Sequence, residues 1–238
     1  MTRHTVTIIS EDKVPCSVVA LVHAKGQSSR CPGKNLRTLG DRPLIGHAIE
    51  AARQAAFVDE VVIDSDSREI LDAGEWYGAT PLQRPAELAT NATNGHQLAA
   101  WQASQRPESE VIVQVVPTCP FTRPSTIDRA ILAIRETGKN TAAGVFSEPF
   151  YLWKDRHARN GSLPNSQDLA AVIYETTGLY AAKTSYVLEH GKRMDLRSCA
   201  PIEVSRLEAV NIDTKEDFRF AEWLWEGRLA CDSRPRSA

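Results

Sequence analysis

An apolar run with strand character, Val18-Val19-Ala20-Leu21-Val22, breaks directly into a loop carrying three cations, Lys25, Arg30 and Lys34. Gly26, Pro32 and Gly33 punctuate the loop, Ser28 and Ser29 lie within it, and an amphipathic helix is predicted to open at about Arg42. A buried strand turning over into a cationic Gly/Ser loop suits a polyphosphate. Small residues let backbone N–H groups approach the anion, and Lys and Arg neutralise it. The competing reading is an ordinary strand-to-helix connection with solvated cations. Spacing excludes two familiar phosphate loops. Six residues separate Gly26 from Gly33, where a Walker loop has four followed by Lys and Ser/Thr. The G-x-G-x-x-G glycines of a dinucleotide fold are also missing.

The rest of the chain repeats this strand-then-helix rhythm. Val61-Val62-Ile63 reads as a buried strand ending in the acidic turn Asp64-Ser65-Asp66-Ser67. A helix follows through Ile70 and Trp76 and stops near Gly78, and 80–83 is extended. A helix over 96–105, a strand over 111–116, the break Pro117-Thr118-Cys119-Pro120 and a helix over 125–135 come next. Strands buried on both faces and alternating with helices predict an α/β fold with a mostly parallel sheet between helix layers. Ligands of such sheets sit at the carboxyl ends of the strands, where the first loop, 64–67 and 117–123 would emerge.

Beyond Thr141 the rhythm changes. A strand is expected over 142–146, and 147–168 is rich in loop residues. Short strands over 171–174 and 179–182 flank Gly178. The stretch 147–200 is therefore expected to be an insertion that completes the site or carries a subunit contact. A last strand is expected over 202–204. Thr214, with Asp217 three residues on, is the expected N-cap of a closing helix through Trp223 and Trp225 that frays from Ala230. Residues 1–15, with the run Thr5-Val6-Thr7-Ile8-Ile9, form a tail or an edge strand, leaving 16–238 as one domain.

At 238 residues a single large α/β domain is the natural size. A net charge of −2 points to neither nucleic acid nor a membrane surface as partner, so the loop cations are a local cluster. Five scattered cysteines without a C-x-x-C pair suggest neither a zinc site nor a disulfide framework. With no signal-peptide core and no apolar run of membrane length, a cytoplasmic protein is expected.

Ala24-Lys25-Gly26-Gln27-Ser28-Ser29-Arg30-Cys31-Pro32-Gly33-Lys34-Asn35-Leu36 resembles the N-terminal signature of the acylneuraminate cytidylyltransferases, the CMP-sialic acid and CMP-Kdo synthetase family. Gln83-Arg84-Pro85-Ala86-Glu87-Leu88-Ala89-Thr90 is similar to a second signature of that family. Pro117-Thr118-Cys119-Pro120, Gln167-Asp168-Leu169, Glu175-Thr176-Thr177-Gly178-Leu179-Tyr180 and Asn211-Ile212-Asp213-Thr214 match further landmarks in order, across about 17–228. The resemblance implies a three-layer, Rossmann-like nucleotidyltransferase that dimerises through its loop-rich insertion. It implies transfer of CMP from CTP to a small acidic acceptor with Mg²⁺.

By position, the resemblance assigns nucleotide binding to Ala24, Lys25, Gly26, Ser28, Arg30, Lys34 and Asn35. It sets Arg84, with Thr93 and Gly95, around the cytosine. Lys25, Lys34 and Asp213 would be catalytic, Asp213 and Asn211 would hold the metal, and Thr118, Gln167, Glu175, Thr177 and Tyr180 would face the acceptor. The chain departs from the pattern on the acceptor side. Val116 stands for a Gln, Thr122 for an Arg and Thr177 for an Asn, while Asn211 stands for a carboxylate. Gln114, on the same strand face as Val116, is expected to take the missing Gln's place. These departures leave room for another acid, such as a phosphonate, or for a non-catalytic nucleotide sensor.

Blander roles are expected elsewhere: local hydrogen bonding for Asp64 and Asp66, packing for His47 and a helix surface for His96. Trp76, Trp101, Trp223 and Trp225 are expected in the core or an interface. Cys31 and Cys119 lack an adjacent base, and Lys192-Arg193 reads as a solvated pair.

Overall fold

The computed structural model of the chain describes residues 18–28, 30–158 and 164–232, the side chains of 228–232 excepted. The expected tail or edge strand at 1–15 lies outside them. In chain order, β1 (Val18–His23) precedes a small hairpin of β2 (Thr38–Leu39) and β3 (Arg42–Pro43). Then come α1 (Leu44–Arg53), β4 (Glu60–Ser65), α2 (Arg68–Trp76), β5 (Thr80–Gln83), α3 (Gly95–Ser104), β6 (Val111–Val115), α4 (Pro124–Thr137) and β7 (Thr141–Pro149). A second hairpin, β8 (Trp153–Lys154) with β9 (His157–Ala158), leads to β10 (Ala171–Lys183), α5 (Thr184–His190), β11 (Cys199–Glu203) and α6 (Lys215–Asp232).

Seven strands form one sheet in the order β11-β7-β10-β6-β1-β4-β5. β1 pairs in parallel with β4 and β6, β4 with β5 and β7 with β11; β10 alone runs antiparallel to its neighbours. The apolar runs read as continuous because both faces are covered. Val18, Ala20 and Val22 pack with Ile45, Ile49, Ile70, Ile127 and Ile131 under α1, α2 and α4. Val19, Leu21 and Ile112 face Ala99, Ala103 and Val187 on α3 and α5. A third cluster, Leu39, Leu44, Phe121, Ile212 and Phe218, fastens α6 to the loop after β1.

Three expectations differ from the structure. The 147–200 stretch is not set apart from the domain, since β10 runs through it and lies between β6 and β7 in the sheet. Among the described residues, 150–158 and 164–170 leave the sheet, as do α5 and the turn after it. The two short strands expected around Gly178 are one strand of 13 residues. It reads as broken because its register shifts between Glu175 and Tyr180, where Thr177 takes a positive φ of 60°. The closing helix also continues to Asp232, past the fraying expected at Ala230.

Candidate active site

β1, β4 and β6 lie side by side and in parallel, so the loops after them open at one end of the sheet. The first loop is pinned from below. Ala24 N donates to the Asp64 carbonyl at 2.9 Å, and Gly26 N donates to Asp66 Oδ1 at 2.8 Å. Gly26 is required there, because a Cβ would stand 2.8 Å from that of Ser67. Both acids serve the scaffold, but not through the local turn bonds expected: Asp66 accepts from Gly26 and the Asp64 carboxylate from Arg84 and Gln102, all distant in the chain. Asp64 lies within β4 rather than in a turn and is fully buried.

Past the loop a single helical turn, 34–36, carries Lys34 and Asn35 inward. Lys34 is buried, and its Nζ donates to the Ile212 carbonyl at 2.8 Å and to Asp213 Oδ1 at 3.2 Å. Arg30 Nη2 reaches the same Oδ1 at 3.0 Å from the solvent side. Asn35 Nδ2 donates to the Lys25 carbonyl at 3.0 Å, closing the loop on itself. Asp213 is fixed in turn by α6. Its N–H donates to Asp217 Oδ2 at 3.0 Å, and Thr214 and Asp217 exchange bonds as the expected helix cap.

Lys25, Ser28, Arg30, Lys34 and Asn35 line one cavity of about 270 Å³ with His23, Val116 and Thr118. Asp213 stands behind that lining, bonded to Arg30 and Lys34. Three cations around a pocket whose ion partner, within this cluster, is a single carboxylate leave surplus positive charge for an anion.

A second cavity of about 350 Å³ adjoins it, lined by His23, Lys25, Arg84, Asn91, Thr93, Gly95 and Arg193 among others. Arg84 reaches this wall already paired. Its Nε and Nη2 donate to the two carboxylate oxygens of Asp64 at 2.9 and 3.0 Å. Burial pushes the Asp64 carboxyl above its ordinary range, and the bonds from Arg84 and Gln102 pull against that rise. Gln102 Nε2 donates to Asp64 Oδ2 at 2.7 Å, and Gln114 Nε2 to Gln102 Oε1 at 2.7 Å. Gln114 is thus turned into this buried network and does not take the place of the Gln missing at Val116.

The expected acceptor-side residues are not gathered into one hollow. Thr118 lines the first cavity, whereas Gln167 sits in an exposed turn at 166–168. Tyr180 donates its hydroxyl to Glu175, and Thr177 occupies the strained step between them. Burial pushes the Cys119 thiol up to about 12, consistent with an inert cysteine. His47 bonds the Leu39 carbonyl at 2.8 Å and packs against Trp225, while Trp76 and Trp223 stand in solvent rather than in the core.

Three site residues escape the sequence reading: His23, Asn91 and Arg193. Asn91 accepts a bond from Lys25 Nζ. Arg193 is no solvated cation, since its guanidinium lies 3.6 Å over the Tyr180 ring and faces the second cavity. His23 ends β1, and that position is the signal that could have found it: the last residue of a central parallel strand points at the ligand end.

Known proteins resemble this chain along most of its length. The family model described as cytidylyltransferase matches residues 19–222. The CMP-N,N′-diacetyllegionaminic acid synthase of Legionella pneumophila subsp. pneumophila is 31% identical over 227 residues, covering 88% of this chain and 96% of the relative. The N-acylneuraminate cytidylyltransferase B of Danio rerio is 28% identical over 214 residues, 85% of this chain and 50% of that longer protein. A solved CMP:2-keto-3-deoxy-manno-octonic acid synthetase complexed with CTP shares the fold, with a TM-score of 0.67 at 18% identity, covering 89% of this chain and 99% of the other.

Proposed function

Because the chain belongs to the cytidylyltransferase family, we propose that it transfers CMP from CTP to a sugar acid, sialic-acid-like or another 3-deoxy-ulosonic acid, and releases pyrophosphate. The observation carrying this reading is the cluster of Lys25, Arg30 and Lys34 around one cavity, with Asp213 bonded to two of them. An acceptor hydroxyl oxygen bonds to the α-phosphorus as the bond to the β-phosphate oxygen breaks. Pyrophosphate leaves with that electron pair, and the hydroxyl proton passes to solvent. Such transfer depends on positioning and on charge stabilisation, which three cations supply without a nucleophilic side chain.

Mg²⁺ fits the donors in one specific way. Among the described residues no three His, Cys, Asp or Glu side chains gather into a metal site. Mg²⁺ commonly keeps several waters and takes one or two carboxylates with substrate phosphates, so Asp213 would hold it together with the triphosphate. Bound there, the ion would neutralise charge on the departing pyrophosphate. Asn211 presents its Nδ2 to Asp213 Oδ2 and its Oδ1 to the Cys119 thiol, so its amide must turn over before its oxygen can join.

A homodimer would cover the large side chains exposed on the β8–β9 hairpin and the first half of β10, where Trp153 and Ile173 are 68% and 63% accessible. Free thiols at Cys31, Cys119 and Cys199 suit the cytoplasm. The ungathered acceptor side keeps a second reading open: transfer to a different acid, such as a phosphonate. A panel of sugar acids and phosphonates with CTP, ATP, GTP and UTP, read as pyrophosphate release, separates the two. Release with CTP and a 3-deoxy-ulosonic acid is expected. Release only with a phosphonate favours the second reading, and CTP binding with no release on any acceptor indicates a nucleotide sensor.

A further inference from the structure

Among the described residues, Nδ1 of His23 is the single buried side-chain nitrogen or oxygen with no hydrogen-bond partner. Native interiors rarely leave such an atom alone, and an orphan beside a cavity suggests a partner that arrives with a ligand. Its position narrows what that partner is. His23 lines both the phosphate-side and the second cavity, and it shares that double placement with Lys25 and Asn91. Those two bond each other, whereas the His23 nitrogen remains unsatisfied. A nucleotide with its triphosphate in the first cavity and its base in the second must carry its sugar across the boundary, past this ring.

The surroundings also fix the ring's character. Arg84 and Arg193 flank it on the second cavity's wall. Arg193 lies against Gly95 in that wall, where a Cβ would stand 2.3 Å from its Nη1. Burial, and then the two guanidinium charges, bring the His23 pKa down to about 3. The imidazole therefore stays neutral at working pH, with one N–H and one lone pair. A hydroxyl, both donor and acceptor, satisfies either. A half-turn about the ring's Cβ–Cγ bond exchanges its Nδ1 and Cδ2 edges.

We propose that His23 binds a ribose hydroxyl of the nucleotide and makes the site prefer ribonucleotides to their deoxy analogues. This rests on the reading of the two cavities as a CTP site. A site built to bond a substrate hydroxyl rejects the analogue lacking it strongly, because its own polar group is then left unpaired.

The test is calorimetric binding of CTP, 2′-deoxy-CTP and 3′-deoxy-CTP to the full chain, to His23→Leu and to His23→Gln. The unaltered protein should bind CTP about 10- to 100-fold more tightly than at least one deoxy analogue. His23→Leu should lose that preference, binding CTP and the deoxy nucleotide alike, with a cooperative melting transition showing that it is folded. His23→Gln, which keeps a hydrogen-bonding group, should recover part of the preference. Equal affinity of the unaltered protein for all three nucleotides overturns the proposal. So does a His23→Leu variant that weakens all three in the same proportion. Should His23→Leu not fold, the unaltered protein and His23→Gln still decide the matter. Binding needs no acceptor, so a failed acceptor panel would fault the sugar-acid reading and leave this result intact; failure of CTP itself to bind would remove both.

Discussion

The Lys34 ammonium and Asp213 Oδ1 lie 3.2 Å apart although they are 179 positions apart in the chain. The contact joins the loop after β1 to the cap of α6, and Arg30 reaches the same oxygen. One carboxylate thus organises two cations, and a triphosphate with its metal ion would compete for all three groups.

Asp213→Asn should cut pyrophosphate release about 100-fold or more, a loss typical of removing one electrostatic contact at a reacting centre. Asn211→Asp adds a second carboxylate beside it and should lower the Mg²⁺ concentration for half-maximal rate by roughly tenfold. A magnesium titration of both variants checks this; an unchanged midpoint for Asn211→Asp would count against Asp213 as the metal's anchor.

The buried Asp64–Arg84 pair should be a stability element first. Asp64→Asn leaves a buried guanidinium without its anion and is expected to cost about 3–5 kcal/mol. The double variant Asp64→Leu with Arg84→Met should cost less than either half alone. Denaturant unfolding reads both, and a neutral Asp64→Asn would show the pair to be dispensable.

Thr177 holds φ at 60°, a conformation β-branched residues rarely adopt. Thr177→Asn should relieve about 1 kcal/mol of that strain, since Asn tolerates the left-handed region. Thermal unfolding should then shift upward by about 2–4 °C. A lower midpoint would mean that the threonine side chain makes a contact worth more than the strain.

Stability should fall as pH drops below about 6.5. Folded His23 and His47 both have lowered pKa values, chiefly through burial, so the unfolded chain takes up protons that the folded rings refuse. Each contributes stability that is whole above the unfolded value and is lost as pH falls toward the folded one. The slope is up to about 1.4 kcal/mol per pH unit for each ring. Denaturant midpoints between about pH 7.5 and pH 5 should decline less steeply in His23→Leu. Parallel declines would mean that His23 does not carry a proton-linked share.

The sheet was legible because its strands are buried on both faces and so write themselves as unbroken apolar runs such as Val18–Val22. The loop after β1 was legible for the opposite reason, as cations and small residues crowd where no core could use them. β10 was misread since its polar centre, Glu175-Thr176-Thr177-Gly178, looks like a loop until its register shift is seen. Gln114 was misplaced because strand alternation gives a face but not a depth. His23 and Arg193 carry no local pattern at all. Their meaning comes only from the cavity that distant segments build around them.

The most direct measurement is CTP-dependent pyrophosphate release by Lys34→Ala beside the unaltered protein, with CTP affinity read in parallel. The account predicts a loss in kcat/KM of about 100- to 1,000-fold, with weakened CTP binding and a cooperative melting transition retained. Near-normal turnover in a folded Lys34→Ala would contradict it, because the cation held against Asp213 would then not be gripping the triphosphate.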